Sequence, residues 1–326
     1  MPGFKRFIVR AAVAGALAMG TGFVCAPAAL AAEAGYTATK YPIVMVHGLL
    51  GFDSILDGVF DYWHKIVTDL REGGAEVYVS EVSALNTSEA RGEQLITQIK
   101  YVMATTGATK VHLIGHSHGS PTIRYVAAVM PDAVASVTSV GGLNTKGLPL
   151  ADIAVNLEGK PLGGVMKAAI EGIAKLIALL SGKQNAPEDV FKAMAALNVQ
   201  GMREFNEKYP AGLAKADCSS LDGPGEVNGI RYYSWSGNVI FTDFRDPLDY
   251  VFGLTNIATR MMEPTDRSPT DGLVSVCNSL LGKQLGIFSQ NHFDEINNLY
   301  GMVSPYDVSP VVVYREHANR LMKLGL

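Results

Sequence analysis

The chain has 326 residues, 18% charged and 48% hydrophobic, with 27 basic against 31 acidic side chains and a net charge of −4. This is the composition of a globular protein, long enough for one large α/β domain or two small ones. The acidic balance argues against a nucleic-acid partner.

The first segment reads as a secretory signal over residues 1–32. Lys5, Arg6 and Arg10 give a basic start, "FIVRAAVAGALAMGTGFVCA" an apolar stretch, and "PAALAAEA" a small-residue cleavage site between Ala31 and Ala34. The stretch is too short and glycine-rich for a membrane anchor, and Phe23 and Val24 are too bulky for lipid attachment at Cys25. Removing it leaves 24 basic against 31 acidic residues, a net −7, and two cysteines, Cys218 and Cys277. In an exported chain those two are expected to form one disulfide. Closing a loop of roughly 60 residues stabilises by about 4 kcal/mol on the chain-entropy estimate.

Strand and helix signals then alternate. "YPIVMVHG" reads as a strand, "FDYWHKIVTDLREGG" as a helix with a glycine stop, and "AEVYVSEV" as a strand. "TSEARGEQLITQIKYVMATTG" is a helix, "KVHLIG" a strand, "SPTIRYVAAVMP" a helix closed by Pro131, and "VASVTSVGG" a strand. This pattern predicts a mostly parallel sheet with helices on both faces, an α/β fold. The segment from Leu148 to about Gln200 breaks the alternation. Within it Leu162, Met166, Ile170, Ile173, Ile177 and Leu180 share one helical stripe, with Lys167, Glu171 and Lys175 opposite. Pro161 suits a first helical position, and the helix is too polar to span a bilayer. It reads as a helix packed on the core, or as a movable cover inserted after the fourth strand. "NGIRYYSWSG" follows as a strand after an Asn-Gly turn, and "VYREHANRLMKLGL" has helical spacing. With no repeat, long linker or low-complexity segment, residues 33–326 read as one domain.

The chemistry centres on Gly115-His116-Ser117-His118-Gly119, which fits G-x-S-x-G between a strand and a helix. Such an elbow holds the serine hydroxyl out at the helix N-terminus in a strained conformation. A serine needs a base to take its proton. On this fold the chain order is serine, acid, histidine. Beyond the elbow itself only His292 and His317 follow Ser117; His317 lies in the C-terminal helix at an expected surface position, so His292 is the candidate base. Asp271, in an Asp-Gly turn, is the candidate acid, with Asp243, Asp246 and Asp266 as rivals. Oxyanion donors would be the backbone N–H of His118, next to the nucleophile, and that of Leu49 in "VMVHGLLGF".

The chain resembles the secreted bacterial true lipases of the Pseudomonas–Burkholderia type, with the α/β-hydrolase fold. "KYPIVMVHGLLGFD", "YVSEVSALNTSEARGEQL", "LIGHSHG", "VNGIRYYSWSG" and "NHFDEIN" carry the resemblance over nearly the whole chain. It implies Ser117 as nucleophile, Asp271 as acid, His292 as base, the Leu49 and His118 amides as oxyanion donors, and a Cys218–Cys277 disulfide. It also implies one structural Ca²⁺, held by the carboxylates of Asp246 and Asp294 and the carbonyls of Asn298 and Met302, hard oxygens that suit this ion. The insertion corresponds to a lid helix that opens at an oil surface. The expected substrate is a long-chain acylglycerol, the location extracellular, and the partners a membrane-anchored folding chaperone and a type II export machine. Two stretches depart from the pattern. Gly119-Ser120 stands where two glycines are usual, and "SVGGLNTKGLPLAD" replaces G-A-P-H-[KR]-G, leaving acyl-chain preference open.

Overall fold

Alternate residues of β1 (Ile43–Val46) enter two different cores: Val44 and Val46 on one face of the sheet, Ile43 and Met45 on the other. That period-two division, with both faces buried, is what a parallel sheet covered on both sides requires. The computed structural model describes residues 35–49, 51, 54–55, 60–156, 189–246, 249–250, 252–253, 256 and 268–326. The expected signal segment, the expected lid helix and Asp266 lie outside the described residues.

β2 (Ser54–Ile55) and β3 (Phe60–Asp61) pair antiparallel, and α1 (Ile66–Glu72) follows. The helix expected from Phe60 therefore begins only at Ile66. Phe60 and Asp61 are taken by strand pairing, and Lys65 at φ 61° sets the helix start. β4 (Val77–Val79) leads to α2 (Ser88–Thr106), which opens on the Thr87 side chain accepting from the Ala90 amide and closes at Gly107, φ 73°. Next come β5 (Val111–His116), α3 (Gly119–Val129) and β6 (Val134–Val140). α4 (Pro149–Asn156) and α5 (Val190–Leu197) form the two ends of the insertion and share a cluster with α6 (Val199–Lys208) through Ala151, Val190, Leu197 and Phe205.

β7 (Glu226–Val227) and β8 (Ile230–Gly237) form a hairpin whose turn residues Asn228 and Gly229 both have positive φ, 53° and 76°. α7 (Val276–Ser279), β9 (Lys283–Phe288), α8 (Asn298–Gly301) and α9 (Pro310–Lys323) complete the described elements. The main sheet runs β4-β1-β5-β6-β8-β7, with β9 also paired to β8; every pairing except β7 with β8 is parallel. α2 and α3 pack on one face through Leu95, Ile99, Ile123 and Val126. α1 and α9 pack on the other through Ile66, Leu70, Tyr314 and Ala318.

β9 was not foreseen. His317 departs from its expected surface position: it is buried under α9, with Nε2 2.9 Å from the Thr138 hydroxyl. The two cysteines are joined, Cys218 to Cys277, with Cα atoms 5.6 Å apart.

Candidate active site

β5 is a central strand between β1 and β6, and the sharp turn at its carboxyl end places Ser117 directly before α3. Its glycines are dictated by close approach. A Cβ at Gly115 would meet the Gly119 carbonyl at 2.5 Å, and one at Gly119 would meet the Val46 carbonyl at 2.3 Å. Ser117 itself has φ 54°, a left-handed conformation that costs a non-glycine residue about 1–3 kcal/mol. Its N–H is anchored on the Val140 carbonyl, 3.0 Å away. The elbow thus spends stability to present one hydroxyl, and among the described residues that hydroxyl has no hydrogen-bond partner.

Two loops at the same sheet edge complete the site. His292, four residues beyond β9, donates through Nδ1 to Asp271 Oδ2 at 2.7 Å, and its backbone N–H donates to the Asp271 carbonyl at 3.0 Å. Asp271 is fully buried; its other oxygen accepts the amides of Leu273 (2.8 Å) and Val274 (2.7 Å). The carboxylate is thereby fixed before it meets the imidazole. Of the rivals, Asp243 is bonded by Arg245, and Asp246 lies among other carboxylates described below. His292 sits beside the elbow: its ring centroid is 4.5 Å from that of His116, and its carbonyl accepts from His116 Nε2 at 2.9 Å. Ser117 Oγ and His292 Nε2 are not hydrogen-bonded to each other, a separation that unliganded catalytic sites often show.

The loop expected to supply an oxyanion donor follows β1. A Cβ built at Gly48 would lie 2.8 Å from Ser117 Cβ, so this backbone runs against Ser117. Neither the Leu49 nor the His118 N–H has an acceptor among the described residues.

Glu295 escaped the sequence reading. It is fully buried, accepts the Gly237 N–H through Oε1, and brings Oε2 within 3.4 Å of His116 Nε2 and 3.9 Å of His292 Nδ1. Burial, with Asp271 nearby, pushes its carboxyl well above the usual range. Donor atoms of His116, His292 and Glu295 lie within 4.8 Å of one another, a spacing a metal could bridge. The hydrogen bonds oppose that use. A carbonyl only accepts, so His116 Nε2 carries the proton it gives to His292, and Nδ1 accepts from the Tyr62 hydroxyl at 2.6 Å. A protonated ring nitrogen cannot ligate.

The expected Ca²⁺ ligands fare differently. Asp246 and Asp294 are both buried, at 1% exposure each, with fully buried Asp249 beside them. Burial, then the charges of Asp249 and Asp246, pushes the Asp294 carboxyl up to about 7. Carboxylates crowded in a dry site fit a hard cation, which would remove the repulsion they otherwise share. Asn298, at the start of α8, and Met302, just beyond it, follow on the same stretch of chain.

The two departures from the lipase pattern meet in space. Ser120 lies in the first turn of α3, fully buried, and donates to Asn144 Oδ1 at 2.7 Å. Asn144 Nδ2 in turn donates to Ser139 Oγ and the Ser279 carbonyl, both at 2.9 Å. Ser120 is thus bound to the unusual loop as one polar unit.

This is the fold of an alpha/beta hydrolase, with a strained serine on the turn between a central strand and a helix. A family model described as the alpha/beta hydrolase fold matches residues 41–235. A triacylglycerol lipase of Vibrio cholerae is 47% identical over 90% of this chain and 91% of its own. Those of Pseudomonas fragi and Burkholderia plantarii are 40% and 36% identical, over 88% and 95% of this chain and 98% and 93% of theirs. The crystal structure of a Bacillus licheniformis lipase in mature form shares the fold, with TM-score 0.57 at 18% identity, covering 87% of this chain and 92% of that one. The chain belongs to the α/β-hydrolase family, and within it to the family of these bacterial lipases; it is a hydrolase.

Proposed function

We propose that this chain is a secreted lipase hydrolysing the carboxylic ester bonds of long-chain triacylglycerols through an acyl-enzyme on Ser117. The observation that carries the reading is the 2.7 Å His292–Asp271 pair beside a strained serine at a helix N-terminus. The triacylglycerol lipases among its relatives support the substrate class. His292 Nε2 takes the Ser117 proton as Oγ attacks the ester carbonyl, and Asp271 holds the Nδ1–H tautomer and stabilises the imidazolium. The oxyanion is received by the Leu49 and His118 amides. His292 then protonates the departing glycerol oxygen, and a water deprotonated by the same ring releases the fatty acid.

The insertion around 148–200 acts as the lid in this reading, uncovering an acyl cleft at an oil surface. Asp246 and Asp294, with the Asn298 and Met302 carbonyls, would hold a structural Ca²⁺, which supplies charge neutralisation and pins the loop bearing His292. Export through the periplasm would use a membrane-anchored folding chaperone and a type II machine.

The test is hydrolysis of a triacylglycerol series, dissolved and emulsified, by wild type and Ser117→Ala. A rate jump at the emulsion for long chains, lost in Ser117→Ala, is expected. Preference for short soluble esters without that jump contradicts the lipase reading and makes the chain a carboxylesterase. Full activity in Ser117→Ala removes the serine mechanism.

A further inference from the structure

Arg91 lies in the first turn of α2 and is completely buried. A cation there opposes the helix dipole, and burying a guanidinium is costly unless its donors are used. They are used on one target above all. Nη2 donates to the His47 carbonyl at 2.5 Å, and Nη1 to the Gly48 carbonyl at 3.3 Å and the Ser83 carbonyl at 2.7 Å. Nε donates to the Thr122 hydroxyl at 3.2 Å. His47 and Gly48 are the two residues that precede the oxyanion donor Leu49.

Peptide geometry converts this grip into a direction. A trans peptide places each N–H opposite the carbonyl of the residue before it, and the described chain has no cis peptide. With both carbonyls turned toward Arg91, the N–H groups of Gly48 and Leu49 must point away from it. The first does so: Gly48 N–H donates to the Tyr62 hydroxyl at 2.9 Å, and that hydroxyl also bonds His116, the neighbour of Ser117. The N–H side of the loop therefore faces the elbow. His47 Nδ1, at 2.9 Å, and the Gly51 N–H, at 3.2 Å, also bond the Gly48 carbonyl, resisting a flip of the Gly48–Leu49 peptide. Three of the loop's four polar groups are occupied, and the fourth is the Leu49 N–H.

We infer that Arg91 is the positioning residue of the oxyanion hole, clamping the His47 and Gly48 carbonyls so that the Leu49 N–H is aimed at the reacting carbonyl oxygen. Its positive charge also lies behind the hole, close enough to His118, the other donor residue, to bear on that imidazole. Arg91 touches no substrate; it acts through the peptide it holds. A lysine keeps the charge but cannot reach several carbonyls with a planar fork. The inference rests on the serine-hydrolase reading of the site.

The experiment compares wild type, Arg91→Lys, Thr122→Val and Ser117→Ala on a soluble p-nitrophenyl ester. It also measures inhibition by an alkyl boronic acid, which adds to the serine as a tetrahedral anion. For Arg91→Lys, kcat should fall on the order of 10²-fold, the usual effect of losing one oxyanion donor, with KM unchanged. Boronate affinity should fall by the same factor as kcat/KM. Thr122→Val, which removes the acceptor for Arg91 Nε and also the hydroxyl's 2.9 Å bond to the His118 carbonyl, should show the same pattern more weakly. Boronate affinity at the wild-type value in folded Arg91→Lys, or falling only as much as ester binding falls, overturns the inference. Should Arg91→Lys fail to fold, Arg91→Gln takes its place, since it keeps a planar donor group but reaches fewer of the carbonyls, and wild-type boronate affinity in that variant overturns the inference equally. Activity surviving in Ser117→Ala instead defeats the underlying reading of the site.

Discussion

Replacing Asp271 separates orientation of the base from stability of its loop. In Asp271→Asn the side-chain oxygen can still accept the Leu273 and Val274 amides, so the turn survives. Its NH₂ group then faces His292 Nδ1, where a carboxylate oxygen stood at 2.7 Å. Two donors cannot share that line, so the imidazole moves its proton to Nε2 and loses the lone pair that takes the Ser117 proton. A wrong-tautomer change of this kind costs on the order of 10⁴-fold in kcat, about 5.5 kcal/mol of transition-state stabilisation. Asp271→Ala behaves differently. It leaves no competing donor, and Glu295 Oε2, 3.9 Å from Nδ1, becomes the nearest acceptor for the same proton. The alanine variant should therefore keep more kcat than the asparagine variant. It orphans the two buried amides, however, at about 1–3 kcal/mol each, and should melt lower. Steady-state kinetics on a soluble ester and thermal unfolding of both variants read the two effects. An asparagine variant as active as the alanine variant, or within tenfold of wild type, refutes the orientation argument.

Ser120→Ala should destabilise by about 1–3 kcal/mol, because it leaves the buried Asn144 oxygen without its donor. Urea unfolding of the double-mutant cycle with Asn144→Ala should show coupling, and strictly additive losses would break the pair. Stripping Ca²⁺ with EDTA should lower the melting temperature of wild type, with Ca²⁺ restoring it, and Asp246→Asn should blunt the effect; identical melting with and without chelator speaks against the ion. Burial holds His116, His118 and His317 well below the usual histidine range, and His112 at about 4. Below pH 6.5 the unfolded chain binds protons these four groups refuse when folded, so each removes stability as pH drops, by up to about 1.4 kcal/mol per unit, against the one proton that Asp294, pushed up to about 7, takes up in the folded state. Urea midpoints measured from pH 7 to 5 check this, and a flat profile counters it.

The legible parts of the site were those set by local sterics or chain order. Close approach at Gly115 and Gly119 leaves its mark in the residues themselves, and order along the chain singles out His292. Glu295 and Arg91 were invisible for a common reason. In "HFDEIN" and "SEARGEQ" they look like charges on the solvated first turns of helices. Only the folded chain shows one under His116 and the other under the His47 and Gly48 carbonyls. β9 escaped because "KQLGIF" pairs only with β8 and is half exposed, so its alternation of apolar residues is weak. The early start expected for α1 failed because Phe60 and Asp61 are drawn into a strand pair that helical spacing cannot reveal.

The account stands most directly on Ser117 being a nucleophile activated by His292, and covalent capture measures that. A p-nitrophenyl alkylphosphonate should release one p-nitrophenol per chain and leave its phosphorus on the peptide carrying Ser117, with labelling of His292→Ala slowed by orders of magnitude. Phosphorus on another residue, or equal labelling of His292→Ala, would contradict it.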